Sequence, residues 1–198
     1  LVGALLTWVS VEDKPVKGDL MKLLPKISLW VSLVFGLSVG FAPPTYAEAK
    51  ASAAERALKL EQANIQVIKD WAEALNQENL GFLQEVIHPD FIDHNPFPGV
   101  PATKVGYIAT LTKAHKEWFS GLKVEILDIL AGGDKVAFRV KVKAKHIGNV
   151  MGAPGTGKEL NWEAFGIYRV KDGQLIERWE LLDSFSFMSQ LGLAKLAP

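Results

Sequence analysis

Cysteine is absent from the 198 residues, which excludes disulfides, thiolate metal sites and cysteine nucleophiles. Net charge is absent as well: 22 Lys+Arg face 22 Asp+Glu, so no excess is left to condense on nucleic acid or to steer the chain to an anionic surface. The longest apolar run, 27–42, is sixteen residues broken only by Ser and Gly, short of the about 20 that a spanning helix needs. What is present is an ordinary apolar fraction of 48% in a length that suits one domain with a leader, large enough to hold a core without covalent staples.

That short run has the layout of a secretory leader. Lys22 and Lys26 form a charged start, 27–42 is the apolar middle, and Pro43, Pro44 and Thr45 precede the small residue Ala47. The arrangement predicts a signal peptide over 21–47 cut after Ala47, with Ala49 as the second choice, and hence an exported (periplasmic or extracellular) protein. An uncleaved membrane anchor is the alternative. Residues 1–20, with Glu12, Asp13 and Asp19 ahead of the charged start, fit an upstream extension. The leader and extension hold four lysines and three acidic residues, so the remaining domain, 48–198, stays near neutral and suits a neutral, apolar ligand.

Within that domain the period of the apolar residues changes halfway. Leu60, Asn64, Val67, Ile68, Trp71 and Leu75 recur at spacings of three and four, predicting one long helix within 53–77. A short helix over 79–87 and a brief strand over 91–95 follow. Thr103 then caps a third helix through Trp118, with Ile108, Leu111, His115 and Trp118 as its stripe. From Leu122 the period becomes two. Strands over 122–130, 136–142, 160–170 and 175–183 are separated by turns at Gly132-Gly133-Asp134 and Lys171-Asp172-Gly173, and a helix over 185–191 closes the chain. Helices gathered ahead of hairpin-linked strands argue for an α+β fold with the helices on one face of a curved antiparallel sheet.

Few constellations in this pattern carry chemistry. Gly152 to Lys158 has the spacing of a phosphate loop, but Glu159 stands where a hydroxyl is needed for magnesium and a strand follows instead of a helix, so the segment reads as a hairpin loop. His88, Asp90, Asp93 and His94 look like metal ligands. Asp93 and His94 leave opposite faces of a strand, however, and a metal needs three or four convergent donors, so neither metal nor cofactor is expected. His94 is still a plausible pocket lining. His146 shares strand parity with Val136, Phe138, Val140 and Val142, which suits a satisfied core or rim histidine, and His115 lies in a helix stripe that suits a structural role. Asp183 ends the strand face of Leu175, Glu177, Trp179 and Leu181. Beside a Trp its carboxyl would be desolvated toward acid/base use, although on spacing alone Asp183 or Ser184 suits better as the cap of the last helix.

Four segments taken together resemble a known family. Asp90-Phe91-Ile92-Asp93-His94-Asn95-Pro96, the run from Gly148 to Lys158, Tyr168 through Ile176, and Glu177-Arg178-Trp179-Glu180-Leu181-Leu182-Asp183 ending in Gln190-Leu191-Gly192 resemble the SnoaL-like polyketide cyclases or ester cyclases of the NTF2-like superfamily. Ser120-Gly121 stand where that family commonly has Pro-Asp. The resemblance implies a cone-shaped α+β barrel in which N-terminal helices and a curved, mostly antiparallel sheet enclose one apolar pocket. It also implies a homodimer packed through the sheet and a cofactor-independent acid/base aspartate near the end of the last strand. By position that residue corresponds to Asp183, with Glu180 the second candidate. His94, His146, Trp179, Phe138 and Trp162 are then expected to line the pocket of a cyclase, isomerase or hydrolase acting on a small apolar carbonyl or ester compound. A module that holds such a molecule unchanged is the alternative. Neither reading calls for nucleic acid, and a membrane enters only if the leader is uncleaved.

Overall fold

The computed structural model describes residues 45–195. Helix α1 (Tyr46–Asn76) is followed by α2 (Leu80–Val86), strand β1 (Ile87–Asp93) and helix α3 (Lys104–Lys113), which continues into one turn of π-helix, Ala114–Trp118. Strands β2 (Phe119–Gly132), β3 (Lys135–His146), β4 (Glu159–Lys171) and β5 (Gln174–Leu182) then lead into α4 (Ser184–Leu191). The expected cut after Ala47 lies in the first turn of α1. The rest of the expected leader and the extension over 1–20 lie outside the described residues.

The five strands form one sheet in the order β1-β5-β4-β3-β2. β1 runs parallel to β5 and every other pairing is antiparallel. The sheet does not close on itself, so the expected cone is completed by helices and not by strands. Alternation sets its inner face. Val136, Phe138, Val140, Val142 and Ala144 of β3 are buried, while the intervening Arg139, Lys141, Lys143 and Lys145 point away, the period of two expected of a half-buried strand. The turn after β4 is a two-residue loop with positive φ at both Asp172 (50°) and Gly173 (77°), the geometry that matches the right-handed twist of a hairpin.

Helix α1 lies across the inner face with Asn64, Ile68, Trp71, Ala72 and Leu75 buried. Leu60, expected in that stripe, is 52% exposed. At 31 residues the helix is about 46 Å long and buries only its C-terminal half. Trp71 packs on Phe138 and Tyr168, with ring centroids 5.7 and 5.3 Å away, which makes an aromatic layer beneath the middle of the sheet. Gly166 of β4 is part of that layer, because a Cβ there would stand 2.5 Å from the Phe138 ring. Thr103 caps α3 by accepting the Gly106 N–H, and Asn79 caps α2 by accepting that of Phe82.

One irregularity decides what faces inward on β5. Arg169 pairs with Glu177 but the next residue, Val170, pairs with Leu175, so Ile176 is an extra residue in a β-bulge. A bulge reverses the alternation for everything beyond it. Leu175 is fully buried, yet from there on it is Arg178 and Glu180, and not Glu177 and Trp179, that turn to the concave side.

Candidate active site

Between the inner face and the helices lies a cavity of about 390 Å³. Trp71 and Leu75 of α1, Tyr107 and Leu111 of α3, and Phe187 and Met188 of α4 contribute apolar or aromatic walls. Strand residues Val124, Val140, Val142 and Trp162 complete them, and Pro96, Phe97, Val150 and Met151 come from the loops. The glycine-rich segment over 152–158 is a loop leading into β4, as expected.

Against these apolar walls stands one polar cluster. Arg178 donates from Nη1 to Asp93 Oδ2 at 2.6 Å and from Nη2 to Glu180 Oε1 at 2.8 Å. Its Nε donates to the Tyr168 hydroxyl at 3.0 Å, and that hydroxyl donates to Glu180 Oε2 at 2.7 Å. Behind them Trp71 Nε1 donates to the Tyr107 hydroxyl, which lies 3.2 Å from that of Tyr168, and the Arg178 guanidinium sits 4.8 Å from the centre of the Tyr107 ring. Asp93 is also fixed from its own strand end, where its Oδ1 accepts the Asn95 N–H.

The charges of this cluster do not cancel. One guanidinium lies between two carboxylates, leaving one negative charge over at the cavity wall. Burial works against the charge of Arg178, but Glu180 and the two tyrosines outweigh it and hold the guanidinium well above its ordinary pKa. Burial pushes the Tyr107 hydroxyl up to about 12, with Arg178 lowering it and Glu180 raising it. Burial, reinforced by Glu180, pushes Tyr168 well above the usual phenol range. Both tyrosines are therefore neutral donors at pH 7. Of the two carboxylates, Asp93 has 3% of its side chain exposed and Glu180 has 16%, so Glu180 is the one an occupant can reach. Each carboxylate oxygen offers about two acceptor sites, and Tyr168 and Arg178 take one apiece.

The residues expected to form the site are dispersed. Asp183 is exposed and is the N-cap of α4, its Oδ1 accepting the Ser186 N–H at 3.0 Å, and it does not line the cavity. Trp179, displaced by the Ile176 bulge, lies on the outer face, where its ring stacks on His94 at 4.4 Å with planes 3° apart. His94 leaves β1 opposite to Asp93 and meets Glu177 at 3.4 Å. His146 is fully buried beside Phe119, with Nδ1 3.2 Å from the Thr156 hydroxyl, in the core and not on the cavity wall. Phe138 belongs to the aromatic layer with Trp71. Trp162 does line the cavity, packed on Phe119 and Phe187. No group of three His, Asp or Glu able to hold a metal occurs among the described residues, and Asp93 of the suspected metal set is committed to Arg178.

Asp93, Tyr107, His115, Tyr168 and Arg178 line or complete the site without a motif that marks them in the sequence. Two of them carried a legible signal: Asp93 shares parity with the buried Phe91, and Tyr168 with Leu160 and Ala164, also buried. The roles of Asp183 and Glu180 separate by experiment. Asp183→Ala is expected to cost about 1 kcal/mol through loss of the cap, read by urea denaturation, and to leave binding of an apolar fluorescent probe in the cavity unchanged. A loss of probe affinity at intact stability would return Asp183 to the site.

A family model described as SnoaL-like polyketide cyclase matches residues 65–191, from the middle of α1 to the end of α4. The chain is 25% identical over 133 residues to the aklanonic acid methyl ester cyclase DnrD of Streptomyces peucetius, covering 65% of this chain and 90% of that protein. Its fold is similar to that of IdmH from Streptomyces antibioticus, with a TM-score of 0.56 and 30% identity over 65% of this chain and 98% of the other. TsrD from Streptomyces laurentii shares the fold with a TM-score of 0.60 at 22% identity, covering 67% of this chain and 97% of that one.

Proposed function

The chain belongs to the SnoaL-like polyketide cyclase family, and from that membership and the polar cluster we propose a cofactor-independent cyclase or isomerase acting on a small apolar carbonyl compound, with Glu180 as its acid and base. The observation that carries this reading is a carboxylate set by Tyr168 and Arg178 at the wall of a mostly apolar cavity. The acid/base role expected of Asp183 is thereby assigned to the neighbouring carboxylate on the concave side.

The reaction this arrangement suits begins when a Glu180 oxygen removes a proton from the carbon next to a carbonyl. The C–H electron pair becomes an enolate, delocalised over the substrate and facing the positive charge of Arg178. In a cyclisation the enolate carbon bonds to a second carbonyl carbon of the same molecule, whose π pair moves to oxygen as an alkoxide. Glu180 then returns the proton to that alkoxide, and no atom is lost or gained. Protonation of the enolate at another carbon gives the isomerisation instead.

The proton-abstraction step is measurable without the natural substrate, as deuterium entering the methyl group of acetylnaphthalene in heavy water. A second reading, a module that binds such a molecule unchanged, is favoured by the fact that both Glu180 oxygens already hold donors, as in a structural ion pair. Binding of acetylnaphthalene without accelerated exchange would select it.

We also propose a homodimer through the outer face of the sheet. Leu130, Phe165, Ile167 and Leu181 are exposed there around Trp179, a contiguous apolar patch of the kind that marks an interface. Sedimentation is expected to give a dimer for the wild type and a monomer for Phe165→Glu. A monomeric wild type at micromolar concentration would end this proposal.

A further inference from the structure

The cluster on β5 leaves one titratable group of the cavity unused. His115, in the π-helical turn after α3, lines the cavity and is 8% exposed, and neither Nδ1 nor Nε2 has a hydrogen-bond partner among the described residues. Buried polar atoms are nearly always paired, and an exception calls for an explanation. The other histidines each hold a partner: His88 Nδ1 accepts the Asp90 N–H, His94 meets Glu177, and His146 meets Thr156 through Nδ1, its Nε2 alone being unpaired. The π turn that holds it, between the end of α3 and the start of β2, is itself an uncommon backbone form, one frequent at functional positions.

The chemistry of the group narrows what it would take. Burial lowers the His115 pKa, Glu78 opposing and Lys123 adding to the effect, so the imidazole is neutral at pH 7 and suits a neutral partner. A neutral imidazole has one N–H donor and one bare nitrogen. A hydroxyl satisfies either, by accepting from the first or donating to the second, whichever tautomer is present. Around it α3 and β2 line the cavity with Leu111, Leu122 and Val124; the Tyr107 hydroxyl is held in the Arg178 cluster and the Thr110 hydroxyl donates to the Gly106 carbonyl, so His115 is the group with both of its polar atoms open to a hydroxyl.

We propose that His115 is a second recognition point of the cavity: it binds a hydroxyl on an apolar carbonyl compound whose carbonyl end meets the Glu180 cluster. The carbonyl end of this assignment rests on the function proposed above, while the His115 contact does not.

The test compares acetylnaphthalene with the isomers of acetylnaphthol by titration of tryptophan fluorescence. The wild type is expected to bind the best acetylnaphthol about fivefold to tenfold more tightly, the worth of one hydrogen bond. His115→Phe is expected to erase that preference, keep its affinity for acetylnaphthalene and show no fall in Tm, because no paired group is lost. As a measurement that needs no variant, the imidazole nitrogen resonances of His115 in the wild type should shift with acetylnaphthol and not with acetylnaphthalene. Equal affinities in the wild type, a preference preserved in His115→Phe, or imidazole resonances that ignore the hydroxyl would each overturn the assignment. Glu180→Gln separates the two proposals: it should lose deuterium exchange and keep the hydroxyl preference.

Discussion

Glu180→Gln is expected to slow deuterium exchange into bound acetylnaphthalene by about 10²-fold to 10⁴-fold, the usual worth of a positioned acid/base group. The amide is nearly the same size but has one acceptor oxygen in place of two: with that oxygen accepting from Arg178, its NH2 faces the Tyr168 hydroxyl, which can turn its hydrogen to Tyr107 and accept instead, so the cavity and its affinity for the probe should survive. What is lost is the base and its charge. Stability should fall by about 1 kcal/mol, the difference between a charge-assisted hydrogen bond and a neutral one, which urea denaturation resolves. Exchange at the wild-type rate in this variant would remove Glu180 from the chemistry.

Arg178→Met carries the largest expected effect on stability. Asp93 has 3% of its side chain exposed and holds Arg178 at 2.6 Å, leaving only the Asn95 N–H when the guanidinium is gone. Removing one partner of a buried pair costs about 3–5 kcal/mol, because the remaining charge is left uncompensated. For a domain of this size that lowers Tm by about 10 °C. Asp93→Asn added to Arg178→Met removes the orphaned charge and is expected to restore a large part of the loss, since a buried pair as a whole often adds little net stability. If Arg178→Met melts within a degree or two of the wild type, the cluster does not rest on charge compensation.

How far the site could be read from the chain depends on the strand. On β3, four successive inward residues follow strict alternation, and the expected face is the observed one. On β1 the same rule separates Asp93 from His94 correctly. It also puts Asp93 on the side of the buried Phe91, but parity does not say which partner a carboxylate on that side meets. On β5 the alternation itself fails. Counting by twos from the buried Leu175 leads through Trp179 to Asp183, whereas the bulge at Ile176 moves the inward set to Arg178 and Glu180. The outward set meets the exposed patch of Phe165 and Ile167, and Asp183 is left to cap α4.

Local rules determined the elements, their order and their caps: a stripe at spacings of three and four makes α1 whatever it packs on, a hydroxyl at Thr103 satisfies a free N–H, and Asp172-Gly173 can adopt the positive φ of a hairpin. The absence of cysteine and of net charge likewise restricted the chain to a neutral domain held by its core. The polar centre could not be reached that way. Asp93, Tyr107, Tyr168 and Arg178 are separated by as many as 85 residues, and they meet because β1 pairs in parallel with β5, α3 crosses beneath them and one extra residue turns β5 over. A hydrogen bond between distant strands depends on register, and register is set by the packing of the whole sheet, which no local pattern contains.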